Sequence, residues 1–354
     1  MSRPRLKSHA RPLLRAPGTV QLGLAPPAGA VLEGLSEAEV RWLERLDGTT
    51  GRTLLYAEAS AAGIPPQRVE ALLDTLRDLD LLVEQPTDRA CLSSLGAARW
   101  AALGPDADTL AAVHPGVGDG WAALADRQGQ HVLVGGDGSL ARSLALLLRR
   151  AGIGRVETGA AALDALELDL RAAGRSVATG RSGATTRSGA GVGGPDRPDL
   201  VVLLGVGALD PGAGAPWLRH GIPHLPVVAQ GHRVLVGPLV AGPGGPCLQC
   251  CDLDRSDRDP QWPRLLAQLT PPQPVGRPRP VEAATGVTAT AAGLAALVVH
   301  SHLDAGAVPR GVSLELSLPW PTVVHRRWNA HPRCGCGAVQ AHWDGAEAST
   351  PGAG

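Results

Sequence analysis

A chain of 354 residues with 33 Lys plus Arg against 33 Asp plus Glu carries no formal net charge, so no global basic field points to nucleic acid or to an anionic membrane. The length suits two or three domains around a substantial core. Arg3, Arg5, Lys7, Arg11 and Arg15 crowd the first fifteen positions without an apolar h-region, which is not the pattern of a signal peptide, and a cytoplasmic protein is expected. Lys7 is the only lysine, so chemistry that needs a lysine in the body of the fold must find a substitute.

Residues 1–18 are basic and Pro-containing and read as extended chain. Thr19–Leu24 alternates as a short strand. Ser36 and Glu39 form a capping box for a helix that ends at Gly48, with Val40, Leu43 and Leu46 on one face. A second helix covers Arg52–Ala62. A third starts at Pro65 and Pro66 and carries Val69, Leu72, Leu73, Leu76 and Leu79 at helical spacing. Leu81–Val83 returns as a strand. This is a winged-helix-like module over 1–90. The polar face of its third helix is net acidic, which disfavours DNA, and strand addition of a peptide at the sheet edge fits it better. A structural or oligomerising role is the plainer alternative.

Residues 91–130 read as a linker, with Trp100 and Trp121 packed on the next domain and Cys91 as a core thiol. From His131 the pattern becomes strand, glycine turn, helix, strand. Gly136, Gly138 and Ala141 fit G-x-G-x-x-(G/A), and Glu157 stands at the end of the second strand, where a ribose-binding carboxylate belongs. The plainer alternative is the same unit with an empty pocket. Residues 171–198 form a flexible low-complexity insertion. Asp199–Gly205, Leu225–Ala229, Arg233–Val236 and Val312–Leu316 read as strands. The apolar run Thr285–His300 is short for a membrane span and reads as a buried helix, and 341–354 is expected to be a disordered tail.

Five of the six cysteines cluster. Cys247 and Cys250 form a Cys-x-x-Cys pair, and Cys334 and Cys336 a tighter Cys-x-Cys pair. Two such pairs can close on one tetrahedral zinc, with Cys251 and His331 as spare ligands; a disulfide or free thiols are the alternatives. The charged run Asp252, Asp254, Arg255, Asp257, Arg258 and Asp259 with Trp262 is either a salt-bridged helix start or a substrate-contact surface. No Gly-x-Ser-x-Gly elbow is present, Cys251 has no adjacent His, and the histidines have no ligand spacing.

The glycine turn, the acid at its second strand, the DLVVLLG strand and the two cysteine pairs resemble the ThiF/MoeB family, adenylating enzymes related to ubiquitin-activating enzymes. The resemblance covers about 131–340. The front end and the GPLV…PCLQCCDLDRSDRDPQWP run look similar to actinobacterial ThiF-like, cyclodehydratase-like proteins of thiazole/oxazole-modified peptide pathways. The resemblance implies an α/β, Rossmann-like ThiF-type domain with a structural zinc site behind the small winged-helix-like domain. It also implies ATP with Mg²⁺ on the glycine turn, Glu157 on the ribose and Asp210 for the magnesium aspartate. The implied partners are a precursor or leader peptide, or a small protein's C-terminus, together with a modification enzyme and a second copy as homodimer. Two family features are not matched: the Asn-x-x-Arg-Gln segment after Glu157, and the lysine, for which Arg171, Arg175 or Arg181 would have to substitute. Adenylation without those fixed cations is expected to be weak or lost.

Overall fold

The computed structural model describes residues 3–24, 29–84, 97–167, 197–242, 244–270, 282–305 and 308–337. Residues 171–196 of the expected insertion, with Arg171, Arg175 and Arg181, lie outside the described residues, as do Cys91 and the tail 341–354. The chain divides into two compact units, Met1–Arg127 and Gln128–Gly354.

The first unit is built on short antiparallel strands and amphipathic helices. Residues 1–18 hold more structure than their composition suggests: β1 (Arg5–Leu6), a 3-10 turn at Ser8–Ala10 and β2 (Pro12–Ala16). β2 pairs with β3 (Thr19–Leu22), which pairs with β4 (Ala30–Leu32). Gly18 turns the first hairpin at φ +72°, and any side chain there would meet the Leu35 carbonyl at 2.9 Å. β1 instead takes β5 (Leu82–Val83) as its partner, so the returning strand joins a separate two-stranded sheet.

The first helix, Glu37–Glu44, has both halves of the Ser36–Glu39 capping box in place. Helices Arg52–Ala61 and Pro66–Asp78 follow. Val69, Leu72, Leu73 and Leu76 bury one stripe of the third helix beside Val20, Leu22, Trp42, Leu43 and Leu55. Leu79, expected on that stripe, lies at the helix C-cap beyond the last helical turn and is exposed. The expected linker holds two helices, Ala97–Val113 and Trp121–Gln128. Their Ala-rich turns close on each other: the centres of the Trp100 and Trp121 rings lie 4.2 Å apart with the planes tilted by 43°, beside Leu103, Leu110 and Leu124. Lys7 is buried in this unit, where its Nζ donates to Asp80 (2.6 Å) and to the Ala111 carbonyl (3.0 Å).

The second unit is a mixed α/β fold around a seven-stranded sheet in the order β12-β11-β10-β9-β8-β6-β7. The strands are β6 (His131–Gly135), β7 (Arg155–Thr158), β8 (Leu200–Val206), β9 (His224–Ala229), β10 (Arg233–Val236), β11 (Val312–Ser317) and β12 (Thr322–Arg327). β7, β6, β8 and β9 run parallel, and β10, β11 and β12 continue antiparallel. β12 escapes a reading by buried pattern, because its residues are mostly exposed.

Alternation along the central strands sends side chains to both faces of the sheet. Val132, Val134, Leu200 and Val202 pack with Leu140, Leu144 and Leu148 of the Ser139–Arg150 helix and with Ala291, Ala295 and Val299 of the Thr285–Ala305 helix. Leu133, Val201 and Leu203 face the other way, against Trp217, Ile222, Leu248 and the cysteines. Among the described residues, Thr285–Ala305 contains the one stretch long and apolar enough to cross a membrane by length and composition. Its buried positions recur at helical spacing and complete the core of this unit.

Candidate functional site

The cysteine pairs expected to share a metal converge. Cys247 is the N-cap of the Leu248–Arg258 helix, whose first turn carries Cys250. The Cys334 amide donates to the His331 carbonyl at 2.9 Å, a tight turn that folds the second pair back. Sulfur–sulfur distances are 3.8 Å for Cys247–Cys250, 3.6 Å for Cys247–Cys334 and 3.4 Å for Cys250–Cys336, and all four Sγ atoms lie within 4.8 Å of one another. Four sulfurs about 2.3 Å from one tetrahedral ion would stand about 3.8 Å apart, so the cluster fits a four-thiolate metal site. A disulfide needs sulfurs about 2.05 Å apart, and none of these pairs approaches that.

Hydrogen bonding from Cys247 holds the Cys250 thiol below its ordinary range despite burial, while Cys247 is pushed up by donating to it. The spare ligands stay outside the cluster. Cys251 turns away along its helix, and burial pushes its thiol up to about 12. His331 directs Nε2 to Asp257 at 2.9 Å.

The glycine turn of the βαβ unit ends at Gly138, the N-cap of the Ser139–Arg150 helix. Free amides at such a helix start form an anion site. Here the anion belongs to the chain itself. Glu282 accepts from the Ser139 amide (3.1 Å), the Ser139 hydroxyl (2.6 Å) and the Leu140 amide (3.1 Å). Burial opposes ionisation of Glu282, but these hydrogen bonds outweigh it and hold the carboxyl below its ordinary range. A Cβ on Gly138 would collide with the same carboxylate. Ala141 lies fully inside the helix–sheet core.

Glu157 and Asp210 have other partners. Glu157 pairs with Arg155 of its own strand at 2.6 Å, with His131 Nε2 at 3.8 Å. Asp210 caps a 3-10 turn by accepting from the Gly212 amide at 2.7 Å. Glu282 is the residue sequence reasoning missed. It follows a Pro-rich stretch and matches no motif.

The charged run after the cysteines is itself helical, and its two sides do different things. Asp257 faces outward to His331 and Arg333, and Asp254 pairs with Arg258 at 2.9 Å. Asp252, Arg255, Arg258, Asp259 and Trp262 instead line a cavity of about 310 Å³. The loop after β8, the end of β9, β10 and Arg326 of β12 complete its wall, and none of Gly136, Gly138, Ala141 and Glu157 contributes.

Trp328, buried and anchored through Nε1 to Ser313 (2.9 Å), organises the cations of this wall. Arg255, Arg326 and Arg258 lie 5.0, 5.4 and 5.9 Å from the centre of its ring. Arg255 also stacks on Trp262 at 5.5 Å, and Asp252 fixes that second indole by accepting from its Nε1 at 2.6 Å. Desolvation lowers the Arg255 pKa from its ordinary value.

No protein-family model and no curated protein matches the sequence. Solved structures do share the fold. A heterocyclase in complex with substrate and cofactor aligns with a TM-score of 0.57 at 16% identity, over 95% of this chain and 39% of that one. The heterocyclase TruD aligns at 0.58 and 17% identity, over 95% and 43%. E. coli MccB with AMPCPP and MccA aligns at 0.61 and 12% identity, over 95% and 100%. The chain therefore spans about two fifths of the heterocyclase chains and the whole length of MccB. At these identities the likeness is one of fold.

Proposed function

We propose that this protein serves peptide modification of the thiazole/oxazole cyclodehydratase type as a ThiF-like protein that binds a precursor or leader peptide and presents it to a partner enzyme, with adenylation weak or lost. The observation that carries the loss is Glu282: its carboxylate occupies the helix start where the phosphates of ATP would sit. The only lysine supports the same reading, because its ammonium is committed to Asp80 and Ala111.

Likeness to MccB, solved with MccA, and to a heterocyclase solved with substrate supports a peptide as the bound species. In this reading the peptide adds to an edge of the β2-β3-β4 sheet, where Val31 of β4 is exposed. The partner enzyme stands for the part of the heterocyclases that lies beyond the likeness. The four cysteines hold structural zinc, and the protein works as a homodimer.

ATP–pyrophosphate exchange with Mg²⁺, run beside ATP calorimetry, tests the first half. Exchange at background with no measurable ATP binding is expected, and exchange well above background would overturn the loss of adenylation. For the second half, peptides selected from a random library against the full chain should bind about tenfold more weakly to Val31→Asp. Equal binding would remove the sheet edge from the proposal.

A second reading, an active adenylyltransferase acting on a C-terminal carboxylate, draws support from the intact strand–turn–helix with Gly136 and Gly138. It requires Glu282 to leave the helix start when ATP arrives.

A further inference from the structure

The cavity beneath the Leu248–Arg258 helix contains a cation that the fold has not neutralised by contact. Arg233 and Arg326 both converge on Glu315, and Arg258 is paired with Asp254. The guanidinium of Arg255 lies over the rings of Trp262 and Trp328 and, among the described residues, contacts no carboxylate. Two indole faces fix the plane of this guanidinium while leaving its N–H edge, with five donors, available to a planar acceptor. Around it the wall is largely apolar: Leu209, Pro211, Pro226, Val228, Leu235 and Leu248. A volume of about 310 Å³ is at the small end for ligand pockets.

We propose that this cavity is a binding site for a small carboxylate-bearing ligand, its carboxylate bidentate on Arg255 and its apolar portion against Leu209, Val228 and Leu235. A monoanion fits better than a phosphate. Among the described residues that line the cavity, one guanidinium is uncommitted, and Asp252 and Asp259 in the same wall would repel a dianion. The apolar lining selects a branched or cyclic hydrocarbon group. The site is separate from the glycine turn and does not depend on the fate of ATP there.

The carboxylate has two sources, a free small acid or the terminus of a peptide. Calorimetry on the full chain with isovalerate, N-acetyl-Ala-Leu and N-acetyl-Ala-leucinamide distinguishes them. Binding of isovalerate alone assigns a free acid, and binding of N-acetyl-Ala-Leu alone assigns a chain terminus; either supports the site, as does binding of both. The amide should not bind. Arg255→Gln should weaken the acids at least about tenfold. Because Arg255 also packs on two indoles, Ala208→Phe provides a second variant, filling the cavity without touching a cation, and should block binding at an unchanged melting temperature. The site is overturned if neither acid binds at about 10 mM, if the amide binds as well as the acid, or if either folded variant binds like the wild type.

Discussion

Glu282 sets its carboxylate 2.6 Å from the Ser139 hydroxyl and on the Ser139 and Leu140 amides, so the lead-in to one core helix caps the start of the other. Such a contact competes with a phosphate for the same donors. Glu282→Ala should therefore lower stability by about 1 kcal/mol, the usual worth of a lost cap, and raise ATP affinity at the same time. Calorimetry and a thermal melt on one preparation read both. Gly138→Ala should evict the carboxylate by collision and melt lower too. A Glu282→Ala protein that melts and binds ATP like the wild type would dismiss the competition.

The four-sulfur cluster predicts about one zinc per chain and a coupling of that metal to folding. Cys250→Ser should abolish stoichiometric zinc in elemental analysis and lower the melting temperature by roughly 10 °C, because thiols crowded to 3.4–3.8 Å would lose the cation proposed to lie among them. Cys251→Ser, outside the cluster, should keep its zinc.

How much of this was legible in the sequence depends on how local the determinants are. The Ser36–Glu39 capping box, the Pro66 helix start and the His131–Thr158 strand–turn–helix–strand are specified within a few residues, and they stand where expected. The convergence of the cysteine pairs was legible because two close pairs far apart in sequence can close on one metal. Sites assembled from distant segments were not. Glu282 meets Ser139 across 143 residues, and Arg255 finds Trp328 just past the last strand, β12. Glu157 and Asp210 match a motif by position, but their oxygens are engaged by Arg155 and Gly212. β12 carries no buried alternation to reveal it.

Lys7 is a structural cation, and its removal should say so. The ammonium is buried, 2.6 Å from Asp80, whose carboxylate also accepts from the Gly116 amide at 3.1 Å. Lys7→Met leaves Asp80 and the Ala111 carbonyl short of a donor, and breaking such a partly buried pair should cost about 2–3 kcal/mol. ATP binding and pyrophosphate exchange, whatever their wild-type level, should not change. A fall in exchange without a fall in the melting temperature would instead make Lys7 part of the chemistry.

His224 gives the fold an acid-labile point. Its ring is fully buried; Nδ1 lies 3.1 Å from the Ile222 carbonyl, and Nε2 has no hydrogen-bond partner among the described residues. Desolvation lowers its pKa from 6.5 to about 4. Between those values the unfolded chain binds a proton that the folded chain refuses, so stability rises with pH through this window and is lost as pH falls from about 6.5 to about 4. Below about 4 both states are protonated and the penalty levels off near 3 kcal/mol. Replacing the ring with a neutral one of similar shape, His224→Phe, should flatten the melting temperature across pH 4–6.5 relative to the wild type. Parallel pH profiles for the two proteins would mean that other groups set the acid limit.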